Sequence, residues 1–205
     1  MMDTAMRDRD RRSKTPLQHR RESRPPLRRP FRGSARRGGA EAPVILYGWH
    51  TVTAALTNPG RRIHRLLTTE NALRRLADEG IDTQRFALEV VRPKALDALL
   101  TPEALHQGLY AEADPLPSPD LADLASCGIV LVLDQITDPH NVGAILRTAA
   151  AFAVAAVVTT ARHSPEATGV LAKSASGALE LVPVISVQNL ARALETLKDR
   201  GFLIV

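Results

Sequence analysis

The stretch from Val130 to Val158 reads VLVLDQITDPHNVGAILRTAAAFAVAAVV. An apolar run, Ile129 to Leu133, ends at Asp134, and a second apolar run covers Val154 to Val158. Between them lie a turn built on Thr137, Asp138 and Pro139 and an Ala-rich stretch carrying Asn141, Gly143 and Arg147. The pattern predicts strand, loop, helix and strand, with polar groups gathered where the first strand ends and the helix begins. In α/β sheets that edge is where ligands bind. Pro139 suits the first turn of a helix, where its missing N–H would have no partner in any case, and Asp138 is placed to cap the free N–H groups. Asn141 and Arg147 are six positions apart and do not share a helical face, so Asn141 is expected in the loop or first turn and Arg147 one to two turns inside. Ala144, Ala149, Ala150 and Ala151 allow close packing on a sheet. An Arg in such a helix is either a solvated surface charge, the common case, or a group aimed at an anion.

Outward from this core, residues 159–168 read as a polar loop in which Ser164, Pro165 and Glu166 start a helix. The stretch Lys173–Glu180, KSASGALE, is rich in small residues that permit close backbone approach, to a ligand or, more commonly, to a packed helix. Val182 to Val187 reads as a strand. Asn189 caps an amphipathic helix, Leu190 to Arg200, with Leu190, Ala193, Leu194 and Leu197 on one side, and Gly201 ends it. Phe202 to Val205 starts another strand. On the other side of the core, Leu121 to Ala125 reads as a short helix. Asp114 to Asp120, DPLPSPD, has the composition of a stiff linker.

Upstream, order begins near Pro43. Tyr47 to Leu56 is predicted helical with Val52, Ala55 and Leu56 inward, and Asn58, Pro59 and Gly60 stop it. Ile63 to Thr68 is a strand, Asn71 to Glu79 a helix, Phe86 to Val91 a strand, Pro93 to Leu100 a helix and Leu109 to Ala111 a short strand. Alternating helices and strands argue for a small α/β sandwich. The cluster Arg61, Arg62, His64 and Arg65 suits phosphate contact or, more ordinarily, a solvated loop face.

The ordered set Asp134, Asp138, Pro139, Asn141, Gly143, Arg147 and Ala149 resembles the first motif of the SpoU (TrmH) family of RNA ribose 2′-O-methyltransferases, in the SPOUT superfamily. Ala153 departs from it where the family usually has Gly, a change expected to affect local packing. Ser176, Gly177, Ala178, Glu180 and Pro183 resemble a second family stretch. Tyr47, Gly48, His50 and Val52, with His106, Gln107 and Gly108, resemble the RNA-binding domain attached to many such enzymes. The resemblance implies an α/β chain: a small N-terminal α/β RNA-binding domain, then a SPOUT-type α/β domain with a parallel sheet. The expected boundaries are a disordered basic tail at 1–42, the RNA substrate-binding domain at 43–112, a linker at 113–120 and the methyltransferase domain at 121–205. Further family motifs supply most of the S-adenosylmethionine pocket, close a trefoil knot and build a homodimer interface. They are absent from these residues, so the second domain is expected to be an N-terminal part only, with no nameable cofactor-binding residue.

Charge is unevenly spread. Residues 1–40 hold thirteen Arg and Lys against four Asp and Glu, a net of +9, while the remainder carries a net of −4. With Pro16, Pro25, Pro26 and Pro30 and almost no apolar periodicity, the tail cannot offset its ordering entropy and is expected to be disordered. Such an arm suits nucleic-acid phosphates; a solubilising N-terminus is an equal alternative, and its acidic residues and prolines argue against a transit peptide. No apolar run is long enough for a signal peptide or a membrane span. Cys127, the one cysteine, fits a reducing compartment, the cytoplasm, and is expected to be buried and inert. The six histidines lack metal-ligand spacing.

The chemistry implied is transfer of a methyl group from S-adenosylmethionine to a ribose 2′-hydroxyl. Arg147 matches the family's catalytic Arg. A guanidinium stays charged and cannot accept a proton, so its expected role is to position a phosphate and stabilise the developing alkoxide. Asn141 is expected to orient the ribose or hold Arg147. His50, Arg61, Arg62, His106 and Gln107 are the candidate RNA contacts; for His50 a bond to a neighbouring carbonyl is the more ordinary role, and for the 106–108 turn a structural and an RNA-facing role are equally open. Only RNA has a 2′-hydroxyl. With aromatics at 3% of the chain, shape and phosphate contact are expected over stacking platforms. Ribosomal RNA is the first candidate and transfer RNA the second. The competing readings are a non-catalytic RNA-binding protein and an unrelated nucleotide-binding domain, the latter disfavoured by the lack of a Gly-rich loop after Leu133.

Overall fold

The structure, a computed structural model, describes residues 42–162 and 169–205. The basic tail and the helix start expected at Ser164, Pro165 and Glu166 lie outside the described residues.

The first unit is built on a four-stranded sheet: β1 (Val44–Tyr47), β2 (Ile63–Thr68), β3 (Leu88–Val90) and β4 (Leu109–Ala113), in the order β1-β4-β2-β3. β4 is antiparallel to β1 and β2, and β2 is parallel to β3. Three helices accompany it: α1 (Trp49–Thr57), α2 (Glu70–Asp78) and α3 (Pro93–Asp97). Leu46, Val52, Leu56, Leu66, Leu76 and Leu109 form a closed apolar core. β1 was not foreseen: its four residues, VILY, run directly into α1 through Gly48, so the turn from strand to helix leaves no polar break in the sequence. α3 is shorter than expected and ends at Asp97.

The second unit is a parallel sheet of β5 (Val130–Leu133), β6 (Ala156–Thr160) and β7 (Val184–Val187), in the order β5-β6-β7. α4 (Pro139–Ala151) and α5 (Gly169–Ala175) cover one face, and α6 (Leu190–Asp199) with the turn at Leu121–Asp123 covers the other. β6 is central, and its successive side chains enter opposite cores: Val157 meets Leu146 and Leu171, while Val158 meets Ile185 and Leu197. A strand buried on both faces has a continuous apolar run, as parallel sheets require.

Asn189 caps α6 as expected, its side chain accepting from the Arg192 N–H at 3.0 Å. Phe202 to Val205, expected to be a strand, pairs with no strand among the described residues. The Phe202 N–H is committed to Leu197 O and the Gly201 N–H to Lys198 O, which closes the helix end in a Schellman motif. Cys127 is exposed rather than buried, because it sits in the turn before β5 and not in the strand.

The two units are packed together rather than spaced by the Pro-rich segment. α5 lies against β1 and α1, and Ala172 is part of the first unit's core. Thr51 donates through Oγ1 to Ala172 O at 3.2 Å. A Cβ built on Gly177 would sit 2.8 Å from Ala54 Cβ and 2.9 Å from His50 O, so only glycine admits α1 at this distance. The segment between is itself tied down. The Asp114 N–H donates to Arg62 O at 3.0 Å, and Ser118 Oγ accepts from the Ser186 N–H at 3.0 Å.

Candidate active site and RNA-facing turn

α4 begins as its sequence requires. Asp138 accepts from the His140 N–H at 2.9 Å, Pro139 occupies the first turn, and Asn141 follows, exposed, in that same turn. Gly143 faces α5 so closely that a Cβ on it would stand 2.6 Å from Ser174 Cβ and 2.8 Å from the Ser174 carbonyl carbon. Arg147 lies one turn further along the same face, since residues four apart are neighbours on a helix. Its guanidinium donates to the Ser174 carbonyl oxygen. Ser174 returns a bond from Oγ to His140 O at 3.3 Å. Arg147 is thus exposed, yet anchored to the backbone of α5. No hydrogen bond joins it to Asn141 among the described residues, in keeping with their different faces.

The turn at 106–108 is the second constellation. His106 is spent locally: Nδ1 accepts from the Gly108 N–H at 3.0 Å, and Nε2, which therefore carries the proton, faces Asp97 Oδ1 at 3.0 Å. Gln107 holds a left-handed backbone, φ 53°, a conformation that costs a non-glycine residue about 1 kcal/mol or more. Its Oε1 accepts from the Trp49 N–H at 2.9 Å and from Lys173 Nζ at 3.2 Å. Burial lowers the Lys173 ammonium from its ordinary pKa. Lys173 and Ser174 are adjacent, so the 106–108 turn and Arg147 grip neighbouring residues of α5.

The remaining candidates separate. Arg62 is exposed and free to meet phosphate. His50 is exposed at the start of α1. Arg61, expected beside Arg62 as an RNA contact, instead points inward. Its side chain is 4% exposed, and its Nε lies 3.3 Å from Glu180 Oε1 across the junction of the two units. Burial lowers the Arg61 pKa and raises that of Glu180, outweighing their mutual attraction, while Asn58 Nδ2 donates to the Glu180 carboxylate at 2.6 Å. Sequence reasoning missed Lys173 and Ser174 as partners of the two constellations. The spacing within KSASG was the available signal, but nothing local says which surfaces it joins.

The carboxyl edge of the second sheet is open in the described residues. Asp134, Gln135, Ala161 and Gln188, which follow its strands, are all exposed. An adenosyl group needs walls on both sides, and these residues offer one edge. They do not by themselves fit S-adenosylmethionine.

Known proteins share both units. The model of the SpoU rRNA Methylase family matches residues 128–205, and that of the RNA 2′-O ribose methyltransferase substrate binding domain matches residues 45–119. The 23S rRNA (guanosine-2′-O-)-methyltransferase RlmB of Vibrio cholerae is 37% identical over 77% of this chain and 67% of its own. An uncharacterized tRNA/rRNA methyltransferase of Synechocystis, slr0955, is 36% identical over 80% of this chain and 45% of its own. Among solved structures, the SpoU methyltransferase AviRb from Streptomyces viridochromogenes in complex with AdoMet superposes with a TM-score of 0.62 at 18% identity, over 78% of this chain and 60% of that one. A TrmH-family structure from Porphyromonas gingivalis gives 0.64 at 24% identity, over 78% and 61%. At those identities the structures establish the shared fold. The class is therefore an α/β methyltransferase fold joined to a substrate-binding domain. The chain belongs to the SpoU rRNA methylase family, and it spans between about half and two thirds of the length of the relatives it matches.

Proposed function

We propose that this protein acts in the transfer of a methyl group from S-adenosylmethionine to a ribose 2′-hydroxyl of RNA, with ribosomal RNA as the first candidate substrate and transfer RNA the second. The observation that carries the proposal is Arg147, exposed on α4 yet anchored to the Ser174 carbonyl. An anchored guanidinium is preorganised, and fixed positive charge placed where an alkoxide develops is worth more than the same charge on a mobile side chain. Arg147 would hold a phosphate of the substrate and stabilise the oxyanion. Asn141, in the first turn of the same helix, would orient the ribose. His50, Arg62 and Gln107 would contact the RNA, with Arg61 serving the junction instead. A homodimer and a cytoplasmic location complete the proposal; no helix of the described residues is long and apolar enough to cross a membrane.

The test is methyl transfer to ribosomal RNA by the protein isolated from its native cells, compared with its Arg147→Ala variant. Loss of about two to three orders of magnitude in rate with RNA retention unchanged is the expected outcome, the range seen when one oxyanion-stabilising donor is removed. The alternative reading is RNA binding without catalysis. RNA retention with no methyl transfer by the unmodified protein would establish it.

A further inference from the structure

A groove of about 290 Å³ lies in the first unit, between the start of α2, the start of α3 and the 106–108 turn. That volume is at the small end of ligand clefts, which run from about 300 to 1,000 Å³. It admits one flat ring system and excludes a double helix. Its lining includes Trp49, Asn71, Arg75, His106 and Gln107. We propose that this groove receives a single unpaired base of the RNA, stacked on Arg75 and bound at its edge by the Asn71 and Gln107 amides. The proposal rests on the reading of the protein as one that binds RNA, and it names what part of the RNA this site takes.

Arg75 is a prepared plate. Its guanidinium carbon lies 3.7 Å from the centroid of the Trp49 ring, and Nε is held by Glu79 Oε1 at 3.1 Å. One face is therefore covered by the indole while the side chain remains half exposed. Unpaired RNA bases stack on guanidinium planes as they do on aromatic rings. The sparse aromatic content of the chain thus does not preclude stacking, because Trp49 supports an Arg that presents the outer surface.

The edge groups have assigned orientations. Gln107 Oε1 receives the Trp49 N–H and Lys173 Nζ, and Asn71 Oδ1 receives Arg74 Nη2 at 2.7 Å. Turning either amide over would set donor against donor, so in both it is the NH2 group that remains for a ligand. Two amide donors suit a base whose edge carries carbonyl oxygens, uracil or guanine, better than adenine, which has none. The strained backbone of Gln107 sits at this same wall, and such strain persists where the surroundings hold a residue for a task. Through Lys173, Gln107 also touches α5 beside the residue that anchors Arg147. A base seated here bears on α5, the element that anchors Arg147 of the candidate active site.

Trp49 is the only tryptophan in the chain, so its emission reports on this groove alone. The experiment titrates the full chain with short oligouridylate, oligoadenylate and an abasic strand of the same length, following Trp49 fluorescence and, separately, retention of RNA on filters. Oligouridylate is expected to change the emission saturably, oligoadenylate to bind about five- to tenfold more weakly and the abasic strand to leave it unchanged. Gln107→Ala risks the junction it braces, so Asn71→Ala and Arg75→Leu are the decisive variants, with circular dichroism to verify folding. Asn71→Ala is expected to narrow the preference for uracil and Arg75→Leu to weaken binding about tenfold. RNA retained on filters with Trp49 emission unmoved, or with both variants binding as the unmodified chain does, overturns the groove while leaving RNA binding intact. Failure of every RNA to be retained overturns RNA binding itself.

Discussion

Ala153 shows what one residue determines. It stands where the family usually has Gly, and its φ is 51°, in the left-handed region. Its N–H donates to Ala150 O and that of Val154 to Ala149 O, so it is the turning residue that ends α4 in a Schellman motif. The consequence of the departure is backbone conformation, not the packing change expected from sequence. Ala153→Gly should stabilise the protein by about 0.5–1 kcal/mol, read as a shift of the urea midpoint at constant slope. Glu180 is the opposite case, a buried charge with a partner. Glu180→Ala leaves the Arg61 guanidinium buried and unpaired, and should cost about 3–5 kcal/mol. Replacing both residues by Met should restore most of it. Because burial raises the Glu180 pKa, its carboxyl holds a proton more tightly folded than unfolded. The stability this gives is complete below the ordinary carboxylate value and is lost as pH rises through the raised value. Unfolding measured from about pH 4 to about pH 7 should therefore show the unmodified protein losing ground to Glu180→Gln as pH rises.

At the scale of elements, the contact of α4 with α5 sets the candidate site. Gly143 and Arg147 share a face, and the absence of a side chain at the first lets the second reach Ser174. Gly143→Ala places a methyl group against Ser174 backbone and should cost about 1–3 kcal/mol by overpacking. The same displacement withdraws the carbonyl that anchors Arg147, so methyl transfer should fall more than stability does when both are measured below the melting range. The strand–loop–helix core around this contact was legible in sequence. Asp138 and Pro139 mark the start of α4 by local chemistry, and the apolar runs mark β5 and β6 by period. β1 escaped notice because a strand that turns at once into a helix shows neither period for long enough. Residues 202–205 were misread because an apolar run signals strand propensity, while a strand exists only where another backbone accepts its hydrogen bonds.

For the whole molecule, the decisive feature is that two units with separate cores are joined through α5. Gly177→Val should push α1 away from the second unit while leaving each sheet intact. Limited proteolysis would then cut the 114–120 segment markedly faster, with far-UV circular dichroism little changed; an unchanged cutting rate would show that the junction does not depend on this contact. The amino-acid sequence by itself determined most of the elements and their order, because capping, periodicity and turn chemistry act over a few residues, while the parallel sheet and the candidacy of Arg147 and Asn141 came from the resemblance of the 134–149 motif to a known family. Only the tertiary structure decided that Arg61 faces Glu180 rather than RNA, that Lys173 meets Gln107 and that Arg75 lies flat on Trp49. Those partners are up to 119 residues apart in the chain, and a charged side chain takes its role from what folding brings within a few ångströms of it, which no local pattern encodes.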